Sequence, residues 1–204
     1  MNDMIKNVIF DIGNVLVDFS WKQHMMDLGF SGDCIQRLTH YMVLHPLWDE
    51  LDLGVRHHSE VIADMQALSP QYAKEIESYF RDLDGLVRLR SGSAAWLRGL
   101  KERGYGVYLL SNYPDWMFDV HSREFDFMPY VDGMVVSSRV KVMKPDEGIY
   151  RLLLEKYSLR AEECVFIDDR AENCEAAERL GIRAIRCISA EQAQSDLENM
   201  LTGE

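Results

Sequence analysis

The chain has 204 residues, 47% hydrophobic and 27% charged, which at about 150 residues per domain is one core with an appendage, too apolar for a disordered chain. With 34 acidic against 22 basic residues the net charge is −12, a field that repels a phosphate backbone and excludes a nucleic-acid partner, while an anionic small molecule would need a local cation or bound metal. The opening MNDMIKNVIFDIGNV lacks the basic flank and long apolar run of a secretory signal or membrane anchor, so a cytoplasmic protein without a membrane partner is expected.

Val8-Ile9-Phe10 is the first strand candidate, followed by Val107 to Leu110, Met134 to Val136, Val165 to Ile167 and Ile182 to Ile185. All are short, apolar runs rich in β-branched residues. Helical patterns lie between most of them, such as Ser93 to Arg103 before Gly104 and Ala171 to Leu180 before Gly181, glycine being the residue that best tolerates a left-handed helix end. Continuous apolar strands with helical crossovers predict an α/β fold, a Rossmann-like parallel sheet covered on both faces. From Ser20 to Arg88 no strand pattern is found, only amphipathic helical stretches, one of them entered at Ser69-Pro70 as N-cap and first-turn proline. Residues 1–19 and 89–204 are therefore expected to form the core, and 20–88 an inserted helical cap of roughly 65–70 residues, too small for a large independent domain. Met25, Met26, Trp48, Tyr72 and Tyr79 are expected to pack this insertion. His40, His45, His57 and His58 have no zinc-site spacing and read as a solvated helical face. Cys34, Cys164, Cys174 and Cys187 form no CxxC pair and read as reduced core thiols. Ser189 to Gln192 has the form of a capping box opening the last helix.

Polar clusters follow the ends of these strands: Asp11 after the first, Ser111-Asn112 after the second, Lys144 in the loop beyond the third, and Asp168-Asp169 after the fourth. Ligands bind outside the carboxyl edge of an open parallel sheet, so these positions are predicted to converge on one crevice. Asp11, Asp168 and Asp169 brought together would repel one another, and such hard oxygen ligands suit Mg²⁺. Lys144, the Ser111 hydroxyl and donors around Asn112 match a phosphoryl group. With metal and lysine offsetting like-charge repulsion, Asp11 can attack phosphorus as a covalent nucleophile, giving an aspartyl phosphate that water later opens.

Four segments, VIFDIGNVLVDF, LLSNY, KVMKPDEGIY and VFIDDRAENCEAAERLGI, resemble in order and spacing the four motifs of the haloacid dehalogenase-like hydrolases, across nearly the whole chain. The resemblance implies a Rossmann-like core with a helical cap inserted after the first motif (the C1 type). It also implies Asp11 as nucleophile, Ser111 and Lys144 as ligands of the transferring phosphoryl group, and Asp169 as Mg²⁺ ligand with Asp168 assisting. Asn173 matches a supporting position on the entering helix. Phosphatases of this family carry a second aspartate two residues after the nucleophile as general acid and base, where this chain has Gly13. Family members ligate the metal through the main-chain oxygen at this position, so Gly13 remains a metal ligand. The DIGNV form resembles a subgroup close to bacterial sugar-phosphate (α-glucose-1-phosphate) phosphatases, whose anomeric leaving group needs less protonation.

The expectation is therefore a Mg²⁺-dependent phosphatase of small phosphorylated metabolites, sugar phosphates foremost. Hydrolytic dehalogenation on the same fold is the alternative enzyme reading. It would want a carboxylate-gripping cap arginine, for which Arg37 and Arg56 are nominal candidates. A metal and phosphate binder that lost turnover with Gly13 is the non-catalytic alternative. Asp18 is read as a hinge or helix-capping residue, Asn14 as a loop or substrate contact, and Arg170 as a helix-entry group.

Overall fold

The computed structural model describes residues 4–203. Five parallel strands, β1 (Asn7–Phe10), β4 (Gly106–Ser111), β5 (Gly133–Val136), β6 (Cys164–Asp168) and β7 (Arg183–Arg186), form one sheet in the order β5-β4-β1-β6-β7. Chain progression runs outward from β1 through β4 to β5, then returns to β6 on the other side. This is the Rossmann order, with its switch point between β1 and β6. Both central strands are buried on both faces, as their continuous apolar composition requires. Val8 and Phe10 pack with Leu97, Leu100, Ala193 and Leu197 of helices α6 (Ser93–Glu102) and α11 (Ala190–Thr202). Ile9 points the opposite way, toward Ile149, Leu153, Ala176 and Ala177 of α9 (Glu147–Tyr157) and α10 (Ala171–Arg179). Gly104 and Gly181 follow α6 and α10 with φ of 88° and 83°. The predicted capping box at Ser189 and Gln192 is formed.

Between β1 and α6 the chain carries α1 (Trp21–Asp27), α2 (Gly32–Leu38), a π-helical turn (Thr39–Val43), α3 (Pro46–Leu53), α4 (His58–Leu68) and α5 (Ala73–Arg81). Their apolar faces, including Met25, Leu38, Met65, Ile76 and Tyr79, are buried and continuous with the core layer between the sheet and helices α6 and α11. Several local expectations need correction here. Val87–Leu89 is a strand, β3, paired antiparallel with β2 (Val17–Phe19) in the register Val17↔Leu89 and Phe19↔Val87. The Ser69 side chain caps nothing. It accepts from Arg37 Nε at 3.2 Å, and a 3-10 turn (Pro70–Tyr72) precedes α5. His45 and His57 are helix caps, accepting from Leu47 N and Ser59 N, and His58 stacks on Trp116 at 4.4 Å. Asp18 lies on β2 and caps no helix. It pairs with Arg90 at 2.5 Å, and Arg90 also donates to the Asn14 carbonyl at 2.6 Å, tying the β1–β2 turn to the chain after β3. Met26 is exposed rather than packed. All four cysteines are free and buried, and among the described residues no helix is long and apolar enough to cross a membrane.

Candidate active site

Parallel pairing with Phe10 opposite both Leu109 and Ile167 brings the carboxyl ends of β4, β1 and β6 level. Ser111, Asp11 and Asp168 therefore emerge side by side at the switch point, where an open sheet binds its ligands. Asp11 continues the strand, its N–H donating to the Ile167 carbonyl at 2.9 Å. One carboxylate oxygen, Oδ1, accepts from Ile12 N at 2.7 Å and Ser111 Oγ at 2.8 Å, and lies 2.9 Å from Lys144 Nζ. Oδ2 accepts no hydrogen bond among the described residues.

Lys144 is 1% exposed, with its ammonium also 2.6 Å from Asp168 Oδ2. A buried ammonium is held charged only by such partners, and the two carboxylates keep it above its ordinary pKa against the pull of burial. The Lys144 backbone is fixed by Asn112, whose side chain donates to the Lys144 carbonyl at 2.9 Å and accepts from its N–H at 2.8 Å. Both polar ends of the Asn112 side chain are thus engaged with the loop.

Asp168 is fully buried, and both of its oxygens are occupied, Oδ1 by Arg170 N and Asn173 Nδ2, Oδ2 by Lys144 and Asn173 Nδ2. It is built to hold Lys144 and the start of α10. Asp169 is only half-buried, and its Oδ2 accepts from Asn14 Nδ2 at 3.1 Å while Asn14 Oδ1 accepts from Phe19 N. Asn14 adopts φ 55°, in the left-handed region that asparagine tolerates among non-glycine residues.

Asp11, Asp168 and Asp169 each offer an oxygen within 4.8 Å of the others. This is close enough for shared coordination of one cation at the ~2.0–2.6 Å metal–oxygen distances of hard divalent ions. Burial, opposed by Lys144, pushes Asp11 up to about 6, with Asp168 adding to the rise; burial also raises Asp169. Asn173 Oδ1, on the wall of the same cavity, is buried without a partner, so the site lacks a donor such as a metal-bound water would supply. The residues present fit a divalent cation.

The cavity over these groups encloses about 160 Å³. Gly13, Asn14, Asn112 and Arg170 reach its polar end, and Phe19, Trp48, Leu86, Val87 and Met117 give it an apolar wall. Arg37 and Arg56, the nominal carboxylate-binding arginines, do not reach it. Arg37 is engaged with Ser69 and the Leu68 carbonyl, Arg56 with Glu50 and Asp64. Two groups on the wall were not singled out by sequence. Tyr113 Oη and His121 Nδ1 are 2.8 Å apart, with His121 Nε2 3.2 Å from the Leu83 carbonyl. Asp52, from α3, is the other. Its spacing of four residues from Trp48 puts both on one helical face, and that was the available signal.

The chain is 28% identical over 204 residues to the drimenol cyclase drtB of Aspergillus calidoustus, covering 97% of this chain and 37% of that much longer protein. It is 29% identical to the sesquiterpene phosphatase astK of Aspergillus oryzae, over 87% of each chain. It is 28% identical to the D-ribitol-5-phosphate phosphatase of Bacteroides thetaiotaomicron, over 90% of this chain and 92% of that one. Among solved structures, a HAD family enzyme (bt-2542) of Bacteroides thetaiotaomicron, in complex with magnesium and inorganic phosphate, superposes with a TM-score of 0.71 at 23% identity, over 89% of this chain and 93% of that one. The family model for haloacid dehalogenase-like hydrolases matches residues 5–181, and the chain belongs to that family.

Proposed function

We propose that this chain is a Mg²⁺-dependent phosphatase of small phosphorylated metabolites that works through an aspartyl phosphate on Asp11. The observation that carries the reading is the state of the Asp11 carboxylate. Three donors fix Oδ1 while Oδ2 is left without one, on a wall of the cavity. Fixing one oxygen orients the other toward an incoming phosphorus. Lys144 and Ser111, already gathered on Asp11, turn to the oxygens of the transferring phosphoryl group, supplying an ammonium and a hydroxyl where negative charge accumulates. Asp168 and Asn112 act behind Lys144, one on its ammonium and the other on its backbone.

Asp11, Asp169 and the Gly13 carbonyl would hold Mg²⁺, with Asp168 supporting from behind. Bound there, the metal supplies positive charge that offsets the repulsion between carboxylates and phosphate. The residues 20–88 read as a cap over this centre, and Trp48 and Asp52 are their contribution to its roof.

Sugar phosphates remain the leading substrate class, in keeping with the name of the ribitol-phosphate relative. The apolar wall of Phe19, Trp48, Leu86, Val87 and Met117 and the sesquiterpene phosphatase relative support phosphates of apolar alcohols as a second class. A cytoplasmic location completes the reading. The test is phosphate release over a panel of sugar, isoprenoid and aryl phosphates, with and without Mg²⁺, alongside Asp11→Asn. Mg²⁺-dependent release abolished in Asp11→Asn is expected. Phosphate binding without release from any ester would leave the non-catalytic binder, and metal-independent halide release from a haloacid would establish the dehalogenase.

A further inference from the structure

Gly13 leaves the proposed reaction without a proton carrier in the β1 loop, so the carrier must come from elsewhere on the cavity wall. Its titratable side chains are Asp11, Asp52, Tyr113, His121, Lys144, Asp169 and Arg170. Asp11, Lys144 and Asp169 are committed to the phosphoryl and metal positions. Tyr113 and His121 are bonded to each other, and the second ring nitrogen of His121 is directed to the Leu83 carbonyl. Arg170 is paired with Glu172 at 2.6 Å. Asp52 alone is uncommitted.

The end of α3, which carries Asp52, is clamped through its backbone. The Asp52 carbonyl accepts from Ser137 Oγ at 2.5 Å, and that hydroxyl also accepts from Tyr113 N, next to Asn112. Lys141 Nζ donates to the Gly54 carbonyl. Gly54 closes the helix at φ 63° and lies so close to the core that an added Cβ would come within 2.8 Å of Ser138 Cβ. Residues 52–54 are thereby seated on the short helix Ser137–Val140 that follows β5 and on Lys141 at its end, and Asp52 lines the same cavity as Asp11.

We propose that the Asp52 carboxyl gives a proton to the leaving oxygen and then takes one from the attacking water, the role left vacant at Gly13. The assignment rests on the phosphatase reading. In the first half, the Asp11 Oδ2–phosphorus bond forms, the bond from phosphorus to the ester oxygen breaks, and the Asp52 proton passes to that oxygen to release the alcohol. In the second, water attacks phosphorus and its proton returns to Asp52, while the Asp11–phosphorus bond breaks to give phosphate and free carboxylate. The electrostatics agree with the first half. Burial pushes Asp52 up to about 8, reinforced by Asp49 and Asp11 and opposed by Lys144 and Arg170, so it holds a proton at neutral pH.

The experiment compares kcat/KM for 4-nitrophenyl phosphate, whose leaving group needs no proton, with that for a primary alkyl phosphate, in Mg²⁺. The proteins are the unmodified chain, Asp52→Asn and the double variant Gly13→Asp/Asp52→Asn. General acid catalysis contributes about 10²–10⁴-fold, so Asp52→Asn should lower the alkyl value about 100-fold or more and the aryl value far less. The fall of the alkyl rate on the alkaline side should also vanish. A Cβ at Gly13 meets nothing within 4 Å, so the double variant can place a carboxyl there, and it should narrow the alkyl-to-aryl gap. Equal losses on both esters, or no loss on either, would overturn the assignment while leaving the phosphatase reading intact. Failure of the unmodified chain to release phosphate from either ester would overturn both.

Discussion

Replacing Lys144 by methionine removes the ammonium that lies between two buried carboxylates while keeping most of the side-chain volume. The ammonium is 2.9 Å from Asp11 and 2.6 Å from Asp168, and Lys144 is 1% exposed. Deleting one partner of such a buried group leaves uncompensated charge and costs about 3–5 kcal/mol. For a chain of 204 residues, at roughly 2–4 °C per kcal/mol, the melting temperature should fall by about 6–20 °C. The loss should be largest near pH 7.5 in chelator and smaller near pH 5, because a protonated Asp11 no longer needs the ammonium. Excess Mg²⁺ should restore part of it, and its stabilising increment should be larger in the variant than in the unmodified chain, since the site then holds one positive charge fewer. Differential scanning calorimetry at the two pH values, with and without Mg²⁺, measures all three effects. A variant melting within about 2 °C of the unmodified chain in chelator at pH 7.5 would refute the reasoning, as it would mean the triad carries no net stabilisation.

Other consequences are smaller and independent. Asp11 is held at about 6 against an ordinary 3.8; its stabilising proton is therefore fully in place below about pH 4 and lost as the pH rises through 6. Mg²⁺ competes for the same oxygens, so the Mg²⁺-induced rise in melting temperature should be present at pH 7.5 and fade as the pH falls below 6. An increment unchanged down to pH 5 would place the metal elsewhere. Tyr79 Oη is buried without a partner, so Tyr79→Phe should leave stability unchanged or raise it by up to about 1 kcal/mol in urea denaturation, whereas a clear loss would reveal a partner. Gly54→Ala combines a left-handed dihedral with a Cβ 2.8 Å from Ser138; it should destabilise by more than about 1 kcal/mol and depress turnover of alkyl phosphates by displacing Asp52.

The core was legible because its signals are local. β1, β4, β5 and β6 centre on continuous apolar runs, and each polar cluster at or beyond their ends inherits its position from the parallel register. Asp11, Ser111, Lys144, Asp168 and Asp169 meet for that reason. β2 and β3 were not legible, since three-residue strands such as Val87–Leu89 carry too few residues to show alternation. Asp52 was hidden differently. In Asp49-Glu50-Leu51-Asp52 it is one acidic residue among three, and its spacing from Trp48 gains meaning only once α3 is seated against the core with both residues on the cavity wall. The histidines misled because an imidazole nitrogen can cap a helix, as His45 and His57 do, a role that leaves no helical periodicity.

The central claim, that a carboxylate held by Ser111 and Lys144 takes up the phosphoryl group, is tested most directly by trapping it. A single turnover with a phosphate ester in Mg²⁺, quenched in acid and mapped by mass spectrometry, should place one phosphoryl group on the peptide containing Asp11 and none in Asp11→Asn. Undiminished phosphate release by Asp11→Asn, or a phosphoryl group on any other residue, would contradict the account.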